Sequence, residues 1–248
     1  GPGDRVAWLG FNAVARVVLV AAAARIGAMT APLNWRLAAP ELAAILKDAA
    51  PALLVADAEH AETARAVAGG APVAGADELL AAKGDGPDVG SPDAPCLLVY
   101  TSGATGRPKG ALLSQEAVLA NAALAVDMHA LTEADHVHTV LPMFHVGGLN
   151  IQTLPALLTG ARVSLMARFE PAACLDEIER LRPTLTVHVP ATLAAMASRE
   201  DWATRDLSSL RLMATGSTDV PVGLIEAVHA KGVPVVQIYG ATETGPVA

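Results

Sequence analysis

Short apolar runs alternate with longer amphipathic segments along almost the whole chain. The apolar runs predict strands at Arg5–Leu9, Leu53–Ala56, Cys96–Tyr100, Val137–Leu141, Arg162–Met166, Leu185–Val189, Leu210–Ala214 and Val235–Tyr239. The segments between them predict helices at Val14–Arg25, Ala39–Asp48, Ser114–Met128, Ala172–Leu181, Ala191–Ser198 and Val222–Ala230. This alternation is typical of an α/β fold with largely parallel sheets.

Ligand sites in parallel sheets collect at the carboxyl ends of the strands. We therefore expect the loops after Tyr100, Leu141, Ala214 and Tyr239 to carry the functional residues. Residues 69–95 are rich in Gly, Pro, Ala and Asp, and this composition predicts a loop or linker.

The loop after the third predicted strand carries the strongest chemical signal. Residues 100–110 read Tyr-Thr-Ser-Gly-Ala-Thr-Gly-Arg-Pro-Lys-Gly, and a helix capped by Ser114 is predicted to follow them. Three hydroxyl groups and the Lys109 ammonium are hydrogen-bond donors, and the glycines let an anion approach the backbone. The spacing differs from the Walker A pattern. A flexible polar loop is the alternative interpretation, but the pattern favours a cradle for a polyphosphate.

Composition narrows the function classes. The chain has 248 residues, enough for one or two domains, of which 52% are hydrophobic and 3% aromatic. Its net charge of −8 argues against nucleic acid as a partner. The most apolar stretch, Val17 to Ala24, is too short for a transmembrane segment. Cys96 and Cys174 have no metal or redox spacing, so we expect a reduced, cytoplasmic setting.

Three motifs in order resemble those of the adenylate-forming superfamily, which includes acyl-CoA synthetases, peptide-synthetase adenylation domains and beetle luciferases. The first is the loop at residues 100–110. The second is Pro-Met-Phe-His-Val-Gly-Gly-Leu at residues 142–149, and the third is Tyr-Gly-Ala-Thr-Glu-Thr at residues 239–244. The opening segments at residues 3–7 and 32–34 are also similar, so the resemblance covers nearly the whole chain. Ala104 departs from the Ser or Thr that is usual in the family.

The resemblance implies the large N-terminal domain of such an enzyme, an α/β fold with two largely parallel sheets flanked by helices. We expect one subdomain at residues 1–130 with the phosphate-binding loop. The second, at residues 131–248, would hold the acyl pocket and the adenine and magnesium motif. The family also has residues before the opening segment and a small C-terminal domain with a catalytic Lys, so we expect a chain truncated at both ends.

The resemblance also implies a reaction, in which a carboxylic acid is activated by ATP as an acyl-adenylate with release of pyrophosphate. The acyl group is then transferred to coenzyme A. Mg²⁺ would be held by Glu243, the α-phosphate would contact Thr242, and Lys109 would contact the β- and γ-phosphates. The implied nucleotide-binding residues are Thr101, Ser102, Gly103, Ala104, Thr105, Gly106, Lys109, Gly216, Ser217, Thr218, Tyr239, Gly240, Ala241 and Thr242.

The acid substrate is expected beside His145, which is predicted to end a strand, and Gly147 and Gly148 behind it are expected to leave room for a ligand. The alternative for His145 is a core histidine bonded to the backbone. The implied acyl-binding residues are His145, Val146, Gly147, Gly148, Leu149, Val189, Pro190 and Ala191. These segments contain no carboxylate for an amino-acid ammonium and no Arg for a dicarboxylate. We therefore expect an apolar monocarboxylate: a fatty acid, an aryl acid or an arylpropenoic acid.

Several alternatives stay open at this point. His136 and His138 would share one face of a strand and could begin a zinc site, but no third ligand is obvious. His188 would either line the acyl pocket or cap its strand. A carrier protein could replace coenzyme A as the acceptor. The chain could also bind nucleotide or acyl-adenylate without full turnover. A homodimer is left open, and nothing favours a luciferase-like oxygenase.

Overall fold

A computed structural model of the chain describes residues 1–84, 86–101 and 108–247. Its internal contacts divide the chain into two compact units, Gly1–Leu119 and Ala120–Ala248. The division that we predicted near residue 130 stays a prediction. Ser102, Gly103, Ala104, Thr105 and Gly106 of the candidate phosphate loop lie outside the described residues.

The first unit contains a sheet of six strands among its described residues. The strands are β1 (Arg5–Leu9), β2 (Met29–Leu33), β3 (Leu53–Ala56), β4 (Val73–Gly75), β5 (Pro95–Thr101) and β6 (Lys109–Ser114), in the order β4-β3-β1-β2-β5-β6. All pairs are parallel except β5 and β6, which are antiparallel. The helices are α1 (Val14–Arg25), α2 (Ala39–Ala49), α3 (Ala61–Val67) and α4 (Ala76–Ala81).

Side chains that alternate along the strands build a core on each face of this sheet. Leu9 of β1 packs in a cluster with Leu42 of α2 and Ala64 of α3. Trp8, the neighbour of Leu9 in β1, packs on the opposite face with Leu19 of α1. The two-residue period of a strand thus gives both faces an apolar surface for helices to cover.

The second unit contains a parallel sheet of five strands among its described residues. The strands are β7 (His136–Thr139), β8 (Arg162–Leu165), β9 (Leu185–His188), β10 (Leu212–Gly216) and β11 (Val235–Ile238), in the order β11-β10-β9-β7-β8. The helices are α5 (Gln115–His129), which begins in the first unit, α6 (Val146–Asn150), α7 (Thr153–Leu158), α8 (Pro171–Leu181), α9 (Pro190–Ala197) and α10 (Val222–His229). A 3₁₀ turn covers Trp202–Thr204.

Helix α8 shows how the local sequence fixes an element of this unit. Glu170 precedes the helix, and its carboxylate accepts hydrogen bonds from the backbone N–H groups of Ala172 and Ala173 at 3.1 and 2.6 Å. Pro171 occupies the first helical position, where its missing N–H costs nothing. The apolar side of the helix places Cys174, Leu175 and Ile178 in the main core.

The structure confirms the predicted fold class, an α/β fold with two mostly parallel sheets flanked by helices. Most predicted strands and helices agree with the observed ones to within one or two residues. Within the described part of the chain, no helix has both the length and the apolar character needed to cross a membrane.

Some sequence-based interpretations were wrong. Strand β2 was missed because it contains Pro32, yet it lies between β1 and β5 and is buried throughout. Residues 69–95 are not simply a linker, since they include β4 and α4. The candidate phosphate loop does not lead directly into a helix, because β6 intervenes and pairs with β5. The hydroxyl of Ser114 does accept a hydrogen bond from the Ala117 N–H at 3.1 Å, as its predicted capping role requires.

Candidate active site

The carboxyl ends of β10 and β11 bring two of the predicted segments together. Gly216 ends β10 and is paired with Ile238, the last residue of β11. A Cβ atom at Gly216 would lie 2.2 Å from the Ile238 carbonyl oxygen, so only glycine fits there. Ser217 follows with φ of 77°, and the side chains of Ser217 and Thr218 are exposed. The turn at residues 216–218 is therefore held directly beside the chain that enters the segment at residues 239–244.

The segment at residues 239–244 forms a tight turn, which we call the acidic turn. Ala241 and Gly245 form a bridge between its two limbs. The Thr244 hydroxyl accepts a hydrogen bond from the Ala241 N–H at 3.2 Å and donates one to the Gly245 carbonyl at 3.0 Å. A Cβ atom at Gly240 would lie 2.4 Å from the Pro246 carbonyl oxygen, so the limbs are in close contact.

The candidate side chains of the acidic turn are exposed at Tyr239 and Glu243 and half-buried at Thr242. The Tyr239 side chain is 83% exposed, which leaves its ring available to a ligand. Glu243 is exposed and forms no ion pair with the described residues, and Thr242 is half-buried. No group of three or more His, Cys, Asp or Glu side chains in the described ranges is placed to hold a metal ion. A single carboxylate suits Mg²⁺ when a ligand supplies other oxygens.

His145 does not end a strand, contrary to our expectation. Strand β7 stops at Thr139, and His145 caps the short helix α6 with an extended backbone (φ −95°, ψ 146°). Pro142 lies between the two, and its ring cannot donate to a strand ladder. The His145 side chain is exposed, and its ring centroid lies 4.5 Å from that of Phe144.

A close approach of backbone fixes the start of α6. The Gly148 N–H donates to the His145 carbonyl at 3.1 Å, and a Cβ atom at Gly148 would lie 2.3 Å from the Pro142 carbonyl oxygen. Val146 and Leu149 are buried, while Gly147 is partly exposed. Gly148 is therefore required for the turn, and the room for a ligand that we expected from two glycines rests on Gly147 alone.

His188 ends β9, as predicted, and is completely buried. Its ring nitrogens lie 3.3 Å from the hydroxyls of Thr186 and Thr192. Burial, with a smaller effect from His138, lowers the pKa of His188 to about 3, so the ring is neutral at physiological pH. The next residues lead into α9: Val189 and Pro190 are half-buried and Ala191 is exposed.

His136 and His138 share one face of β7, as the sequence predicted. Both contact the Ser164 hydroxyl, at 3.0 and 2.9 Å, and His138 Nε2 lies 3.2 Å from a Glu177 carboxylate oxygen. Burial nevertheless lowers the pKa of His138 to about 4. These side chains build a polar cluster between β7, β8 and α8.

In the first unit, the described ends of the candidate phosphate loop are paired. Thr101 lies opposite Lys109 across β5 and β6, and the Lys109 side chain is exposed. The Tyr100 hydroxyl donates to Asp48 at 2.6 Å. Burial and this carboxylate raise the pKa of Tyr100 well above its usual value, so Tyr100 is an anchor for β5.

A cavity of about 640 Å³ in the first unit contains none of the predicted site residues. It is lined by the C-terminal part of α2, by residues 50–52 and by residues 67–72.

Sequence reasoning missed Asn121, which holds the chain directly after the acidic turn. Asn121 lies on α5, is 3% exposed, and donates from Nδ2 to the Val247 carbonyl at 3.0 Å. The sequence signal is that Asn121 is the one polar residue in the run of residues 117–126 within helix α5.

Comparison with known proteins agrees with the motifs. The AMP-binding enzyme family matches residues 1–248. The chain belongs to this family. It is 49% identical to an indoleacetate–CoA ligase of Aromatoleum aromaticum over 98% of the chain and 51% of that protein. It is 41% identical to a feruloyl-CoA synthase of an Amycolatopsis species over 99% of the chain and 50% of that protein.

A solved structure shares the fold of this chain. It is the inhibitor-bound N-terminal domain of FACL13 from Mycobacterium tuberculosis, with a TM-score of 0.90 and 32% identity. The match covers 98% of the chain and 64% of that structure. The chain spans about half the length of the curated relatives that it matches.

Proposed function

We propose that this chain provides the nucleotide- and acid-binding part of an AMP-forming acid–CoA ligase. The observation that carries the proposal is the acidic turn at residues 239–244. It presents Tyr239, Thr242 and Glu243 at the carboxyl end of β11, beside the turn that begins at Gly216. Relatives that are 49% and 41% identical are named as CoA ligases, which supports the same chemistry.

Each part of the site has a role in the first half-reaction. The Tyr239 ring would cover the adenine, and the backbone of residues 216–218 would contact its edge. Thr242 would donate its hydroxyl proton to an α-phosphate oxygen, which gains negative charge as the carboxylate attacks phosphorus. Thr101 and Lys109 would hold the outer phosphates, which leave as pyrophosphate, together with Ser102, Gly103, Ala104, Thr105 and Gly106.

Glu243 would hold Mg²⁺, which supplies positive charge to the phosphates when it is bound. The His145 ring would donate a hydrogen bond to the carboxylate of the acid substrate and orient this carboxylate toward the α-phosphorus. In the second half-reaction the thiol of coenzyme A would attack the acyl carbon, and AMP would leave.

We propose an aryl or arylalkanoic acid as the substrate. The acyl-binding residues would be His145, Val146, Gly147, Gly148, Leu149, Val189, Pro190 and Ala191. Apart from His145 these are apolar, which disfavours amino acids and dicarboxylates, because a second charged group would lose its hydration without gaining a partner. The two relatives above are named for indoleacetate and ferulate, whereas a relative named for long-chain fatty acids is 33% identical.

The test is product analysis with the protein that contains this chain, ATP, Mg²⁺, coenzyme A and a panel of acids. The panel would include indoleacetate, ferulate, palmitate, malonate and an amino acid. We expect an aryl-CoA product with equal amounts of AMP and pyrophosphate. Formation of ADP would contradict the proposed chemistry. A preference for malonate or an amino acid would contradict the substrate class.

A matched pair of variants controls for charge. Glu243→Gln should reduce turnover strongly. Glu226→Gln removes the same charge from an exposed position on α10 and should leave turnover unchanged. Equal effects of the two changes would remove Glu243 from the site.

A further inference from the structure

The limb of the acidic turn that follows Glu243 is buried, although the turn itself is exposed. Gly245, Pro246 and Val247 are all buried, and Val247 belongs to the main core of the second unit. Glu243 is two residues from this buried stretch. An anchor on this stretch therefore restricts where the backbone of Glu243 can lie.

Asn121 of α5 contacts this limb at two points. Its Nδ2 donates to the Val247 carbonyl at 3.0 Å. It also lies against Gly245, since a Cβ atom at Gly245 would be 2.7 Å from Asn121 Nδ2 and 2.9 Å from Asn121 Cγ. Gly245 has φ of 78°, a conformation that glycine adopts easily. The Asn121 amide thus occupies the space that a side chain at Gly245 would need.

The hydrogen bonds of this segment differ in what they join. The Thr244 hydroxyl joins the two limbs of the turn to each other, so it shapes the turn without attaching it to the rest of the unit. Asn121 comes from a helix more than 100 residues earlier in the chain, and its hydrogen bond attaches the limb in addition to the packing of Val247 in the core. Asn121 Oδ1 is buried and has no hydrogen-bond partner among the described residues, a cost that a purely structural position would avoid with an apolar side chain.

We propose that Asn121 is a positioning residue for the nucleotide–metal site. It holds the outgoing limb of the acidic turn so that Glu243 meets the metal-bound phosphates. The inference rests on the proposed function, in which Glu243 holds Mg²⁺. Asn121 itself touches neither nucleotide nor metal.

Two variants weaken the contact from opposite sides, and one variant serves as a matched control. Asn121→Ala removes the donor. Gly245→Ala leaves Asn121 in place but pushes the limb away from it, so it serves if Asn121→Ala does not fold. Gly232→Ala is the control, because Gly232 has φ of 75° but nothing within 4 Å of its added Cβ. It introduces the same backbone strain without the clash.

The first measurement is amide hydrogen exchange of residues 239–247 in the chain without ligand. We expect at least about tenfold faster exchange in Asn121→Ala and Gly245→Ala, since a buried hydrogen bond is lost in one and displaced in the other. Gly232→Ala should show wild-type exchange in this segment. Wild-type exchange in both test variants would overturn the anchoring role.

The second measurement is the dissociation constant of ATP with and without Mg²⁺. A merely structural role of Asn121 would leave the ratio of these two constants at its wild-type value. We expect the factor by which Mg²⁺ lowers the dissociation constant of ATP to be about tenfold smaller in both test variants, close to the factor for Glu243→Gln. In Gly232→Ala this factor should keep its wild-type value. A wild-type Mg²⁺ effect in both test variants would overturn the inference alone. Absence of ATP binding by the wild-type chain would contradict the proposed function as well, so the two failures are distinguishable.

Discussion

Gly216→Ala is the substitution for which the structure predicts the clearest effect. The added Cβ would lie 2.2, 3.2 and 3.4 Å from the carbonyl oxygen, carbonyl carbon and nitrogen of Ile238. All three atoms belong to the backbone of β11, which pairs with β10 at this position. A backbone cannot turn aside as a side chain can, so the strand ends must move apart by about 1 Å.

Overpacking a core by one methyl group costs about 1–3 kcal/mol, and contact with backbone favours the upper part of that range. We expect Gly216→Ala to lower the free energy of unfolding by about 2–3 kcal/mol. With a denaturant slope of about 2 kcal/mol per molar urea, the midpoint should fall by roughly 1 M. The affinity for ATP should also fall, because Gly216 opens the turn that we assign to the adenine.

Gly223→Ala is the matched control in the same unit. Gly223 lies in α10, and a Cβ atom there would have nothing within 4 Å. The same chemical change should therefore stabilise the chain by up to about 1 kcal/mol, since alanine favours a helix. Urea unfolding followed by circular dichroism measures both variants. Equal midpoints for the two variants, or a Gly216→Ala variant as stable as the wild type, would refute the reasoning.

Two further predictions concern histidines. Because burial lowers the pKa of His188 to about 3 from a usual 6.5, the unfolded chain binds a proton between these values that the folded chain does not. The free energy of unfolding should fall as the pH drops below about 6.5, and His188 alone should account for about 2 kcal/mol of the loss at pH 5. In urea unfolding, His188→Gln should therefore lose about 2 kcal/mol less than the wild type over the same pH range. His145→Ala should slow adenylate formation roughly 10–100-fold with little change in ATP affinity or stability, since the side chain is exposed; unchanged turnover in the protein that contains this chain would remove His145 from the site.

The fold class could be predicted from the sequence because helices and strands depend on the spacing of apolar residues and on turn residues, both of which can be seen within short stretches of sequence. Helix α1 was predicted with its observed bounds, Val14–Arg25. Strand β2 was not predicted, since Pro32 argues against a central strand and only the pairing with β1 and β5 overrides it. Arg16 on α1 is completely buried, with no hydrogen-bond partner for its guanidinium in the described part of the chain. No local pattern signals such a burial.

The candidate site shows the same limit. The family resemblance implied Gly216 and Glu243, because each lies within a short, contiguous pattern. The attachment of the acidic turn to Asn121 joins positions more than 100 residues apart, so no window of sequence contains it. Gly148 was read as space for a ligand, but the structure shows that the Pro142 carbonyl already occupies the space beside it.

The most direct test of the proposed nucleotide and acid site is the thermal stability of this chain with non-hydrolysable acyl-adenylate analogues. The series would run from arylacetyl and arylpropenoyl groups to saturated chains of increasing length. A ligand at about 100 times its dissociation constant adds about 2.7 kcal/mol, which for a chain of this size raises Tm by roughly 5–10 °C. We predict a shift that is largest for the aryl adenylates. The absence of a shift with every adenylate would contradict the assignment of the acidic turn and its neighbours as the adenylate site.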